Sequence, residues 1–412
     1  MTERDRASGP EPASAGSGPI PGELAARPAT AGAARPARRA PGWALALSAL
    51  LPGSGHAALG EPARGALLLV PWAVLVGMLY WARARVFAWE QASLDEHVAA
   101  ATVAGLLLLV WGGALWDLGV RRLRPAPARG DSQWAVASRQ FRRNRPALAG
   151  LALIGLLYVV ALIAPYLAPF DPIAQHDIAR TSYLAPSASH WFGTDKFGRD
   201  ILSRILYGAR ISLSIGFVAT AISITVGTLV GAVAGYFGGR VDAVLMRGTD
   251  LVLAFPRLVL LIMIVALFGP SITVIILVLG LTQWPGTTRI VRADVLSLRE
   301  REYVQAAHAL GLSHARIILR HLLPNVLAPV IVTATLGIGS TIVMEASLSF
   351  LGLGVQAPTP TWGGMIAEGR DNLLGAWWVA TFPGLIIVAA VLAFNLVGDG
   401  LRDALDPRLR TS

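Results

Sequence analysis

Cysteine is absent from the 412 residues, which excludes disulfides, thiolate metal sites and cysteine nucleophiles. Lysine occurs once, at Lys196, and no Gly-x-x-x-x-Gly-Lys-[Ser/Thr] pattern leads into it, so the chain has no phosphate-loop nucleotide site of its own. Charge is scarce as well: 15% of residues are Asp, Glu, Lys or Arg, against about 25% in soluble domains. Apolar residues fill the gap at 54%, with a mean hydropathy of +0.57, the composition of a membrane protein. The basic stretch and apolar run of a cleavable signal peptide are missing from the start. Residues 1–41, rich in Pro, Ala, Gly, Ser and Arg and without apolar periodicity, read as a disordered cytoplasmic tail.

The charge that remains is one-signed, +10 overall. A nucleic-acid partner would explain that balance, but the basic residues sit in short segments between apolar runs, where they mark cytoplasmic loops. Membrane lipid is therefore the expected surrounding, and nucleic acid is not an expected partner.

A span needs roughly 20 apolar residues, because each helical residue rises about 1.5 Å and no backbone polar group can be left unsatisfied in lipid. Eight segments fit an all-α, polytopic protein. Two, 65–82 and 98–118, belong to an N-terminal membrane region over 42–118. Its first part, 42–60, is broken by Pro52, Gly53 and Gly55 and reads as interfacial or re-entrant. The linker 119–147 is Arg-rich and reads as cytoplasmic. Six more spans follow at 148–168, 211–235, 250–268, 271–284, 326–348 and 378–398, the fourth of them short. They divide into 148–210, a first core span with its extracytoplasmic loop, and a main membrane domain over 211–402. A cytoplasmic tail, 403–412, ends the chain, and both termini are expected inside. Lys196, Arg199, Arg204 and Arg210 run against this topology, since the 169–210 loop then lies outside.

The loop between the spans at 271–284 and 326–348 is too long and too patterned for a turn. Tyr303, Ala306, Ala307 and Leu310 recur at helical spacing. Gly311 suits a helix end, because glycine enters the left-handed region without steric cost. A second short helix would carry Arg316 and Arg320, and Pro324 suits the first turn of the next. Two short helices joined by glycine form a rigid knob that a soluble partner can approach.

This loop resembles the coupling helix of permease subunits of ABC importers, on Gln305-Ala306-Ala307, Gly311 and Leu322-Leu323-Pro324. The family usually has Glu where Gln305 stands, which removes a charge-assisted bond from that position. Phe192 to Arg204, Gly208 to Leu213, Glu345 to Gly354, Pro360 to Gly363, the basic run Arg139 to Pro146 and the span exit from Pro165 to Pro172 are similar to the C-type permeases of dipeptide, oligopeptide and nickel importers. The resemblance covers about 139–410 and leaves out 1–138. It implies a six-helix type I transmembrane domain preceded by about two extra spans, in the bacterial cytoplasmic membrane. It further implies a homologous permease as heterodimer partner, two cytoplasmic ATPases holding ATP and Mg, and an extracytoplasmic solute-binding protein. This chain would bind no cofactor and no metal, and would have no catalytic residue. The coupling residues would be Gln305, Ala306, Ala307, Gly311, Leu323 and Pro324. Candidate extracytoplasmic or gate contacts would be Gly193, Asp195, Gly198, Arg199, Asp200 and Glu345.

Other features carry blander expectations. Glu345, near a span end, is expected to reach water. His308, His314 and His321 read as separate surface histidines. Gly227, Gly231, Gly235, Gly238 and Gly239 permit close helix contact. Trp362, Trp377 and Trp378 read as interfacial anchors. The rival readings are an ion-coupled secondary transporter, which should carry ionisable residues at the bilayer midplane, and a membrane scaffold or sensor.

Overall fold

The computed structural model describes residues 42–81, 94–123, 133–175 and 177–405. The expected 1–41 tail, the middle of the basic linker and most of the 403–412 tail lie outside the described residues. Among the described residues the chain is helical, with a single bridge, Thr194 to Asp200, as its strand-like pairing.

The N-terminal membrane region contains α1 (Gly42–Leu50), α2 (Ser54–Ala58), α3 (Pro62–Trp81) and α4 (Leu94–Leu123). The 42–60 stretch turns back on itself as α1 and α2. Gly53 takes φ 88° at the turn, and a Cβ on Gly55 would lie 2.0 Å from the Ala44 carbonyl oxygen. His56 is buried beneath this hairpin, its Nε2 3.0 Å from Asp117 Oδ2. Within α4, Glu96–Leu118 is long and apolar enough to cross a membrane. α3 runs for 20 residues to Trp81, where the described residues break off, and its apolar part includes Arg64–Gly77, overlapping the expected 65–82 span. Leu75, Ala99, Ala100 and Val103 form one apolar cluster with Ile163 and Tyr166, and the Tyr166 hydroxyl donates to the Glu96 carbonyl at 2.7 Å. The extra region is thereby attached to the end of the first core span.

The core begins with α5 (Gln133–Phe141) and α6 (Arg145–Leu162), the latter capped by Asn144, whose Oδ1 accepts from Ala147 N at 3.1 Å. Short α7 (Ala164–Leu167) and α8 (Ile178–Thr181) lead to α9 (Ile201–Phe237), then α10 (Gly239–Ala254), α11 (Arg257–Phe268) and α12 (Ile272–Arg299). After these come α13 (Glu302–Ala309), α14 (His314–Ile317), α15 (Leu323–Phe350), α16 (Trp362–Arg370) and α17 (Trp378–Leu405).

Three boundaries differ from expectation for physical reasons. The 211–235 span starts ten residues earlier, because Asp200 caps α9 by accepting from Ser203 N at 2.8 Å. The 250–268 span is broken at Phe255-Pro256, where α10 and α11 meet at 82°. Proline lacks the donor and fixes its own φ, so the helix cannot run straight through. The short 271–284 span is instead the upper part of the 28-residue α12, which passes through Pro285 and continues to Arg299. Its lower part is polar, so apolarity stops where the helix does not. There Arg292 pairs with Asp242 and Arg289 with Asp250, fastening α10 to α12.

Gly227, Gly231 and Gly235 lie where α9 meets α12. A Cβ on Gly231 would sit 2.6 Å from the Thr288 carbonyl oxygen, and one on Gly235 would sit 2.9 Å from that of Arg292. The helices approach that closely because these positions have no side chain. Gly231→Leu should therefore lower the thermal midpoint of the detergent-solubilised protein, at a cost of about 1–3 kcal/mol or more from overpacking. Gly248→Ala, where an added Cβ meets nothing within 4 Å, should leave it unchanged or slightly raised.

Candidate functional site

At one end of the bundle α13 sits on a cluster made of Val304, Ala307, Ile317, Ile318 and Leu322. Of the expected apolar stripe, Ala307 faces inward, whereas Tyr303, Ala306 and Leu310 face out; Leu310 is 81% exposed. Val304 takes the inward place the stripe had assigned to its neighbour. Gln305 is exposed and turns its Nε2 back to the Glu300 carbonyl at 3.2 Å. Gly311 has φ 74° and closes α13, as a left-handed glycine does at a helix end. Leu323 is half-buried and Pro324 exposed in the first turn of α15.

Between α14 and α15 the residues Ile318–Leu322 form a π-helical turn, so His314–Phe350 is one continuous span. The expected separate start at Pro324 is thus a change of pitch within one helix. A wider turn leaves room for a residue with no N–H to donate. The Asn325 side chain donates to the His321 carbonyl there at 2.6 Å.

Two of the three histidines converge, against expectation. The Tyr236 hydroxyl lies 3.0 Å from His308 Nε2 and 2.7 Å from His314 Nδ1, joining α9 to both α13 and α14. Tyr236 stacks on His308 at 5.7 Å between centroids. Nothing in the sequence spacing pairs residue 236 with 308 or 314, and this joint was not legible there.

At the other end the charged residues of the 193–204 motif are inside the fold. Asp195 is fully buried and accepts from the backbone N–H of Phe197 and Arg199, from Arg199 Nε at 2.6 Å and from Arg204 Nη1. Glu368 of α16 takes the opposite edges, at 2.9 Å from Arg199 Nη2 and 3.1 Å from Arg204 Nη2. Two guanidiniums and two carboxylates cancel, which accounts for Arg199 and Arg204 in a segment expected to be poor in net basic charge. Asp200 is also buried, bound to Ser203 and to His190 Nδ1 at 3.0 Å. Gly193 (φ 77°) and Gly198 (φ 73°) make the turns; a Cβ on Gly193 would meet Trp378 Nε1 at 2.6 Å. Tyr183 lies beside the quartet, and burial, followed by the charges of Asp371, Asp195 and Glu368, raises its pKa. Asp195, Arg199, Asp200 and Arg204 are buried in this chain, and Glu368 is partly exposed. They brace the end of α9 against α16.

Glu345 is 1% exposed and accepts from Ser349 Oγ at 2.8 Å, so the expectation that it reaches water fails: the start of α16 packs on this part of α15, with Gly363 against Ala346 and Ser349. Trp362 and Trp378 are likewise buried, donating from Nε1 to the Ile205 and Thr194 carbonyls, each at 3.1 Å. Of the three expected anchors, only Trp377 is exposed.

A polytopic helical bundle with a rigid knob on an inter-span loop and a charge-neutral brace at its opposite end has the form of a membrane transport subunit. The family model described as "Binding-protein-dependent transport system inner membrane component" matches residues 227–411, and that for the "N-terminal TM domain of oligopeptide transport permease C" matches 132–186. The dipeptide transport system permease protein DppC of Alkalihalophilus pseudofirmus is 46% identical over 280 residues, 68% of this chain and 91% of that protein. DppC of Bacillus subtilis is 43% identical over 70% of this chain and 88% of its own length. The glutathione transport system permease protein GsiD of Escherichia coli is 43% identical over 67% of this chain and 91% of its own. A chain from a solved inward-facing MetNI methionine ABC transporter aligns at TM-score 0.41 and 18% identity, over 50% of this chain and 98% of that one. The chain belongs to the family of binding-protein-dependent transport inner-membrane components and is a permease subunit of an ABC importer, a multi-pass protein of the inner membrane. That membership decides against the ion-coupled carrier and the scaffold as the main function. Neither family match reaches residues 1–131.

Asp195→Asn should destabilise the protein by about 3–5 kcal/mol, because two buried guanidiniums lose the carboxylate they share. Asp371→Asn, which removes half of an exposed pair with Arg370, should cost less than about 1 kcal/mol. Thermal unfolding of the two variants side by side measures the difference.

Proposed function

We propose that this permease imports peptides of the di- or oligopeptide class, as one of two homologous permease subunits above two cytoplasmic ATPases and below an extracytoplasmic binding protein. ATP and Mg reside on the ATPases, and this chain has no catalytic site. Both termini and the 302–324 knob face the cytoplasm. The peptide class rests on the relatives named as dipeptide permeases; nickel is the alternative cargo among permeases with these motifs.

The observation that carries the coupling role is the two-sided character of α13. Its inner side is fixed by Val304 and Ala307, while Tyr303, Ala306 and Leu310 form an apolar outer side that none of the described residues covers. A surface of small and apolar residues on a rigid mount suits a groove in a partner. ATP-driven closure of the ATPases would move α13 and α14 as one piece and switch which face of the spans is open, as coupling between distant sites requires.

Ala306→Asp with Leu310→Asp should abolish co-purification of the ATPase subunits and ATP-driven uptake while membrane insertion persists. Uptake surviving this double change would sink the assignment. Tyr236→Phe tests the joint behind the knob. It keeps the ring packing and removes the hydroxyl that bridges the two histidines. The ATPases should still assemble, but the number of solutes imported per ATP should fall severalfold, measured in proteoliposomes. An unchanged ratio would make Tyr236 a packing residue only.

A further inference from the structure

The break at Pro256 places a cation deep in the bundle. Arg257 begins α11 and donates from Nη2 to Gln283 Oε1 at 3.0 Å. Gln283 lies about 17 Å along α12 from Ile272, at about 1.5 Å per residue, near the middle of a roughly 30 Å hydrocarbon layer. Thr341 Oγ1 donates to the same Gln283 oxygen at 2.9 Å, and Gln283 Nε2 donates to Ser340 Oγ at 3.1 Å. Thr220 of α9 completes the group, its hydroxyl 3.1 Å from that of Thr341. Four helices thus contribute polar side chains at one depth.

The group is unbalanced. Arg257 has a neutral amide as its hydrogen-bond partner, its Nε is buried without one, and it forms no ion pair among the described residues. A guanidinium at this depth with no counter-charge is costly, and such residues face the bundle interior or an aqueous path. Ser340 is exposed, and Gln283 and Arg257 are half-buried, so the group opens on a face that the described residues do not cover. One Nη of the guanidinium is spent on the Gln283 oxygen and no side chain among the described residues takes the rest of the fork, and a guanidinium fork complements a carboxylate, which it can grip with two parallel bonds. Gln283, held by Thr341 and Ser340, orients it.

We propose that Arg257, set by Gln283, Ser340 and Thr341, is a mid-membrane station for the C-terminal carboxylate of a peptide in transit. The proposal rests on the peptide reading above. The station need only hold the carboxylate weakly, because a transit site that binds tightly does not release.

Uptake of a dipeptide and of its C-terminal amide would be measured in proteoliposomes holding the complete complex and its binding protein, with wild type, R257Q and R257K. R257Q should lower the preference for the free acid over the amide, as a ratio of kcat/KM, by about tenfold or more, and R257K should restore part of it. An equal fall for both peptides would mean that Arg257 only holds α11 to α12, and would overturn the proposal. Because the chain has no cysteine, S340C places a single thiol in it at the station. The dipeptide should slow labelling of that thiol during ATP hydrolysis with Arg257 in place, and its amide should not. Labelling unaffected by the dipeptide would overturn the proposal even if R257Q fails to assemble. A wild-type complex that imports no dipeptide at all would overturn the peptide reading first, and the station with it.

Discussion

The close contact between α9 and α12 is the constraint on which the other features depend. In lipid no hydrophobic force draws two apolar helices together, so proximity must come from van der Waals contact over surfaces that fit. Gly227, Gly231 and Gly235 let α9 come within contact of the carbonyls of Trp284, Thr288 and Arg292. The Thr288 hydroxyl donates to the Gly227 carbonyl at 3.1 Å across that seam. At the lower end of the pair, Tyr236 reaches the two histidines of the coupling element. At mid-depth, Thr220 and Gln283 are joined through Thr341. At the upper end, the knot around Asp195 ties the start of α9 to α16. One seam therefore sets the position of the knob, of the buried polar group and of the brace.

The sequence carried the order of the core spans, five of them continuous helices and one, 250–268, bent at Pro256, because long apolar runs have few alternatives to crossing a bilayer. It also carried Gly311 as a helix end, because φ 74° is a local requirement that glycine alone meets without strain. The limits of α12 were less legible. Hydropathy reports where lipid ends, and the helix continues past that depth on ion pairs with α10.

The site was legible where it depends on local pattern and obscure where it depends on pairing at long range. Arg199 lies 169 positions from Glu368 and Tyr236 lies 72 from His308, separations that no periodicity bridges. Composition also misleads about Asp195 and Arg199. Charged residues in a glycine-rich loop suggest a contact surface, yet each here neutralises another inside the fold. The tryptophans show the same ambiguity, since an indole serves a buried carbonyl as readily as a membrane interface.

The π turn at Ile318–Leu322 has one more consequence. Because it changes pitch without breaking the helix, the element beside the knob and the span that carries Ser340, Thr341 and Glu345 are a single rod from His314 to Phe350. A continuous helix offers a path by which a push at one end reaches the other as displacement or as twist. The joint at Pro256, where α10 and α11 meet at 82°, is not part of that rod. A continuous rod thus stands beside a bent span, with Arg257 at the bend and Gln283 of α12 between it and the rod.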